Sequence, residues 1–263
     1  MPESPTETLA EIIRLGHALP TDPTHFAELT APKRRHLRAE LERLVIKLNG
    51  LAEALDDVRQ PKHVLDPTSD EIIGKIIAEA LLVQEREKLG GAVKQPFYGA
   101  GVYALYYRGN FDSYAPISGS DTPIYVGKAD PDAMLALTPS SQGARLFRRI
   151  REHWTRSIMK VQNLNPIDFD CRYLVVKSAW VGTAENFLIS RFQPVWNDEM
   201  AVCYGFGKHG DSPETRKNER SPWDTLHPGR PWATSANNRP NRKSVKEIKA
   251  DIARHFAEHP PGV

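Results

Sequence analysis

Between Arg34 and Arg59 apolar side chains recur at three- and four-residue steps, as Leu41, Leu44, Val45, Leu48, Leu51 and Leu55. That period predicts an amphipathic helix, with Gly50 as a weak point inside it and Pro61 as its end. Asp66-Pro67-Thr68-Ser69-Asp70 then supplies turn residues and N-cap candidates for a second helix, from Glu71 to about Lys88. Its expected buried face is Ile72, Ile76, Ala80 and Val83, and Leu89-Gly90-Gly91 stops it. From Phe97 the texture becomes aromatic and β-branched. Tyr98–Tyr107, Pro123–Lys128 and Phe169–Val176 read as strands. Ser141 to about Ile158 is expected to be helical, with Leu146, Ile150 and Trp154 on one side and a crowd of arginines on the rest. Thr183 is the expected cap of a last core helix, Ala184–Phe192, which Pro194 terminates. The order is β-β-α-β-α. Residues 201–243 show no sustained period and read as an extended loop outside the core, whereas Ser244–Glu258 reads as a short terminal helix.

Composition narrows the class. With 263 residues, 40% hydrophobic and 26% charged, the chain is ordinary globular material, and it has no apolar run long enough to span a membrane. The opening MPESPTETLAEIIRLGHALP does not read as a signal peptide. Cys171 and Cys203 are too few for a disulfide framework or a four-cysteine zinc site, so a reducing cytoplasm is expected. The formal charge of +2 conceals a division: residues 1–90 carry −4 and the remainder +6. A basic C-terminal two-thirds permits a phosphate-rich partner without requiring one.

Two tripeptides sit on the first two strands, Gly101-Val102-Tyr103 and Tyr125-Val126-Gly127, and each presents a phenol beside a glycine. Arg149 and His153 follow four residues apart, which places both on one helix face. Glu185 opens the last core helix, and Asn197 stands just beyond it. Tyr, Tyr, Arg, His, Glu and Asn, in that order over a β-β-α-β-α chain, resemble the GIY-YIG nuclease superfamily. Val102 and Val126 replace the isoleucines of the naming motif and keep its apolar, β-branched character. The segments FYGAGVYALYY, YAPISGSDTPIYVGKAD, RLFRRIREHW, ENFLISRFQPVWN and SPWDTLHPGR are similar to the type II restriction endonucleases of that superfamily that cut the palindrome CCGCGG.

The residue types suit phosphodiester hydrolysis, which needs a base for water, positive charge on the phosphate, and a proton or metal for the leaving oxygen. The resemblance implies Glu185 as ligand of Mg²⁺, with Mn²⁺ as a substitute; without it, Glu185 is merely an acid at a helix N-terminus. It implies Arg149 on the scissile phosphate, His153 bonded to the phosphate or a tyrosine hydroxyl, and Tyr103 as general base. Tyr125 orients the nucleophile or phosphate, Lys128 orients the water or lowers a phenol's pKa, and Asn197 holds these groups in place. A phenol is a poor base at neutral pH unless Lys128, His153 and the metal stabilise its anion.

Lys208, His209, Arg216, Lys217, Asn218, Arg220, His227 and Arg230 are candidates for DNA contact, either reading guanine edges or holding phosphates. The expected architecture is α/β: an N-terminal helical extension (1–92), a GIY-YIG core with a small mixed or antiparallel sheet (93–200), and a recognition loop with a C-terminal helix packed on the core (201–263). Double-stranded DNA is the expected partner. A palindromic site with one catalytic set per chain implies a homodimer or a higher oligomer built from it. The alternatives are a structure-specific or repair nuclease of the same superfamily and a DNA-binding module without catalysis.

Overall fold

The computed structural model describes residues 4–20, 22, 26, 29–56, 58, 63–133, 136–197, 204–207, 219–234 and 238–261. Two compact units divide at Leu65/Asp66.

The first unit holds α1 (Pro5–His17) and α2 (Ala31–Ala54). Ser4 starts α1 with a capping box, its hydroxyl accepting from the Glu7 N–H while the Glu7 carboxylate accepts from the Ser4 N–H. α2 runs unbroken through Gly50, whose missing Cβ would meet nothing within 4 Å. Helical backbone and open space together make Gly50→Ala a stabilising change, by about 0.5–1 kcal/mol. The expected readout is higher helical ellipticity and later melting of α2.

The second unit begins with α3 (Asp70–Leu82), capped by Ser69 as expected. α3 ends six residues short of the predicted helix, because Glu87–Lys88 instead forms the short edge strand β1, which α4 (Leu89–Ala92) follows. The buried face also differs from the expected one. Gly74, Ala78 and Leu81 face inward, whereas Ile76 and Val83 are exposed. The small residues win because the helix lies close against the later helix Val181–Phe192: a Cβ on Gly74 would come within 2.7 Å of Phe187.

Strands β2 (Gly101–Tyr107), β3 (Tyr125–Ala129) and β4 (Phe169–Val175) complete a four-stranded, wholly antiparallel sheet in the order β1-β4-β2-β3. β2 is central and buried along its whole length. Its two faces feed separate cores, as the two-residue period of a strand dictates. Val102, Ala104 and Tyr106 pack with α3 and with α6 (Val181–Phe192). Tyr103, Leu105 and Tyr107 pack with α5 (Arg145–Glu152) and with the C-terminal segment.

That segment corrects the expectation of a loop outside the core. Phe206, Trp223 and Leu226 are buried in the main cluster, and α7 (Pro222–Leu226) is built around Trp223. Single large side chains do this work without any period, so no sequence pattern announces them. α8 (Val245–Glu258), with Ser244 and Glu247 as its capping box, packs Ile248, Ile252 and Phe256 into the same cluster. α6 starts at Val181, so Thr183 lies inside the helix and is not its cap; its hydroxyl donates to Asp70. Thus α3 and β1, grouped with the N-terminal extension on sequence grounds, are part of the larger unit. Cys171 is a buried free thiol, pushed up to about 12 by burial, and Cys203 lies outside the described residues. Among the described residues no helix is long and apolar enough to cross a membrane.

Candidate active site

The site forms around β3, the edge strand of the sheet. Paired residues share a face, so the register decides which side each group occupies. Tyr125 pairs with Leu105, and Gly127 with Tyr103, on the face that carries α5. Lys128 pairs with Val102 on the opposite face, toward α6. An open cleft of about 480 Å³ spans this edge, lined by Tyr125, Lys128 and Asp130, by Arg149 and Glu152 from α5, and by Glu185 from α6. Residues from opposite faces of the sheet therefore meet only because β3 has no neighbour beyond it.

Both motif glycines are explained by close approach. A Cβ on Gly101 would collide with the Leu174 carbonyl oxygen, and one on Gly127 would collide with the Tyr103 hydroxyl. Gly127 is thus a seat for the first motif's phenol. Gly127→Ala is expected to destabilise the protein by about 1–3 kcal/mol through overpacking. It also displaces Tyr103, which chemical denaturation and tyrosine fluorescence together would read.

Tyr103 is 0% exposed, and its hydroxyl lies 2.6 Å from His153 Nε2. Burial first, and Tyr125 second, push its pKa well above 10, with the Arg149 charge offsetting part of that. His153 is as deeply buried. Burial and the nearby guanidinium groups of Arg149 and Arg230 hold its pKa well below the usual 6.5. It is neutral, and cannot supply the positive field that a phenolate at Tyr103 requires. His153 opens a π-helical turn (His153–Ser157) that continues α5. Such turns frequently sit at functional positions. The phenol that lines the cleft is Tyr125, whose pKa burial also raises.

Glu185 is half-buried, and desolvation raises its pKa above 4.5 while Lys128 pulls the other way. Lys128 Nζ stands 3.8 Å from Glu185 Oε2 and 3.6 Å from Asp130 Oδ1. Arg149 pairs with Glu152 at 3.4 Å and also acts on the Tyr103 and Tyr125 phenols, so its charge lies among the site's groups. Arg145 and Arg148 both reach Asp132, at 3.1 Å each, which partly neutralises the basic helix face. Asn197 completes the strand edge. Its Oδ1 accepts from Val126 N–H at 2.7 Å and its Nδ2 donates to Val126 O at 2.8 Å, so one side-chain amide replaces a neighbouring strand. All seven catalytic candidates, Tyr103, Tyr125, Lys128, Arg149, His153, Glu185 and Asn197, thus gather about β3.

A sequence model of the Eco29kI GIY-YIG domain matches residues 95–256, more than half of the chain. The chain belongs to that family. It is a nuclease of GIY-YIG architecture, and the matched residues run from just before β2 into α8. No curated protein matches the chain.

The GIY-YIG nuclease has a wall that sequence reasoning missed. Phe206 stacks on Tyr125, with centroids 4.8 Å apart, and on His153 at 5.0 Å. Its carbonyl oxygen accepts from Ser157 Oγ at 2.9 Å and from the Arg230 guanidinium at 3.1 Å. Arg230 also donates to Gly205 O at 2.6 Å and to Asp224 Oδ1 at 2.6 Å. Arg230, a candidate base reader, is therefore corrected: it is 1% exposed and serves the interior, because the carboxylate and carbonyls that match its fork lie there. His227 is likewise turned inward, between Tyr114 at 2.5 Å and Asn163 at 2.8 Å, and burial depresses its pKa to about 3. Arg220 is half-buried with its Nε unpaired. Lys208, His209, Arg216, Lys217 and Asn218 lie outside the described residues. An isolated Gly-Phe-Gly before this basic stretch was the only local signal of the wall.

Proposed function

We propose that this nuclease is a type II restriction endonuclease that hydrolyses both strands of double-stranded DNA at a palindromic GC-rich site, CCGCGG. The supporting observation is the cleft at the β3 edge, where a guanidinium, an ammonium, a phenol and the half-buried Glu185 carboxylate converge, with Asp130 and Glu152 also in its lining. Arg149 faces the scissile phosphate and balances the charge that grows on it. Tyr125 and Lys128 orient the attacking water. Tyr103 stands behind Tyr125, bonded to neutral His153, and accepts a proton only as far as that imidazole shares it. Asn197 and Phe206 keep the strand and the phenol in place.

Glu185 is the proposed ligand of Mg²⁺ or Mn²⁺. A single carboxylate fits a hard ion that keeps most of its waters and takes its other ligands from phosphate oxygens. Among the described residues no group of three acids or histidines offers a fuller cage. Lys128 also has Asp130 as an acidic neighbour, which leaves it a partner when Glu185 turns to a cation. The ion, when bound, supplies Lewis-acid stabilisation at the leaving oxygen. Base contacts are assigned to Lys208, His209, Arg216, Lys217, Asn218 and Arg220, whose donors suit guanine edges. Two copies act on the two half-sites of the palindrome.

The test is digestion of a sequenced plasmid with Mg²⁺, beside EDTA and Glu185→Ala controls, followed by end sequencing. Discrete fragments sharing CCGCGG ends, absent from both controls, are expected. Smearing or junction-dependent nicking would keep the nuclease and discard restriction. Binding without product under any divalent metal would remove the catalytic assignment.

A further inference from the structure

We infer that α2 is the surface through which two copies of this chain associate, as an antiparallel helix pair about a two-fold axis. The inference gives the homodimer of the proposed function its interface, and it rests on that reading for the need of two copies. Leu37, Leu41, Leu44, Leu48, Leu51 and Leu55 are separated by four, three, four, three and four residues. That is the heptad seam of a two-helix coiled coil, with Val45, 46% exposed, on its flank. Leu37, Leu41, Leu44 and Leu55 are between 41% and 73% exposed. Among the described residues of the N-terminal unit none is buried, so the unit has no core of its own to hold this helix.

Charge identifies the occupant as a second copy. Glu40 and Lys47 lie one heptad apart on the same flank of the seam. An antiparallel pairing sets Leu41 against Leu44 of the other copy, and Leu37 against its Leu48. Each Glu40 then falls opposite the other copy's Lys47, and symmetry makes the ion pair twice. Within its own unit Glu40 pairs with Arg43, one turn along, and no carboxylate among the described residues pairs with Lys47. A parallel pairing would instead set Lys33 beside Arg38 of the other copy, like against like. Gly50 falls on the outer side of the helix in this arrangement, consistent with the open space around it.

Sedimentation of the full-length chain without DNA tests the inference. The native protein is expected to be a dimer at micromolar concentration, and Leu44→Glu with Leu48→Glu a monomer. Glu40→Lys is expected to weaken the dimer about tenfold, through two like-charge contacts in place of two ion pairs. Adding Lys47→Glu to it should restore the native affinity. The charge variants keep every leucine, so a folding defect does not imitate their effect. A monomeric native chain would show the seam covered by the protein's own segments and overturn the inference. A dimer that survives the leucine changes would place the interface elsewhere and overturn it too, as would a double charge reversal that fails to rescue. Cleavage is not read in this experiment, so an error in the proposed activity would leave its outcome intact.

Discussion

Exchanging Glu185 for glutamine is expected to lower DNA cleavage by roughly a thousandfold, equivalent to about 4 kcal/mol of transition-state stabilisation, without lowering the melting temperature. The second half of that expectation follows from the direction of the pKa. Burial raises the folded-state value of Glu185 above 4.5. A carboxyl group so shifted stabilises the fold fully below its unfolded pKa, and that contribution is lost as pH rises through the folded pKa. At neutral pH the ionised group therefore opposes folding, and glutamine removes the opposition. An acidic residue kept where it destabilises is what a functional site requires. The same shift sets the pH profile. Cleavage is expected to fall on the acid side at a pH above the ordinary glutamate value, because only the carboxylate binds a cation. Raising Mg²⁺ should move that limb to lower pH by competition with protons. A limb that does not respond to Mg²⁺ would identify Glu185 as a proton donor and remove it as a metal ligand.

Replacing Arg230 with methionine is expected to cost about 3–5 kcal/mol of stability, because it strands the buried Asp224 carboxylate. It also withdraws donors from the Gly205 and Phe206 carbonyls. Phe206 then loses its hold on Tyr125 and His153, so kcat is expected to fall in whatever protein remains folded. Arg230→Lys keeps the charge without the fork and should lie between the two. Combining Arg230→Met with Asp224→Leu should cost less than the two changes added together, since neither partner is then left unpaired. Urea denaturation of the four proteins measures this directly. Relaxed sequence specificity with undiminished stability would instead mark Arg230 as a base reader.

The contrast between these residues shows how far the sequence is legible. Glu185, Arg149 and both tyrosines were accessible because they stand in motifs at fixed places on regular elements. The terminal helix expected from Ser244 is present as α8, opened by a capping box of Ser244 and Glu247; the same box at Ser4 and Glu7 opens α1, where no helix was expected. Arg230 and His227 were misread as surface readers because composition assigns basic residues in aperiodic stretches to solvent. Whether a guanidinium faces water or Asp224 depends on which carbonyls reach it, and those belong to residues 205 and 206, far back along the chain. The buried face of α3 was misjudged for a related reason. Apolar residues lie all around that helix, and Phe187, on a partner helix more than a hundred residues later, selects the glycine side.

By itself the sequence determined the order and kind of the core elements, the glycines that the motifs require, and the seven candidate groups that the fold gathers about β3. These depend on local backbone preference and on spacing, which act within a few residues. Only the tertiary structure decided that the site straddles the open edge of β3, that Tyr103 is sealed behind Tyr125 and bonded to a neutral His153, and that an aperiodic segment supplies the wall of Phe206. Burial and charge depend on contacts between residues tens of positions apart: 50 separate Tyr103 from His153, and 73 separate Ser157 from Arg230. No periodicity along the chain carries that information, because packing alone brings those groups together and removes the water between them.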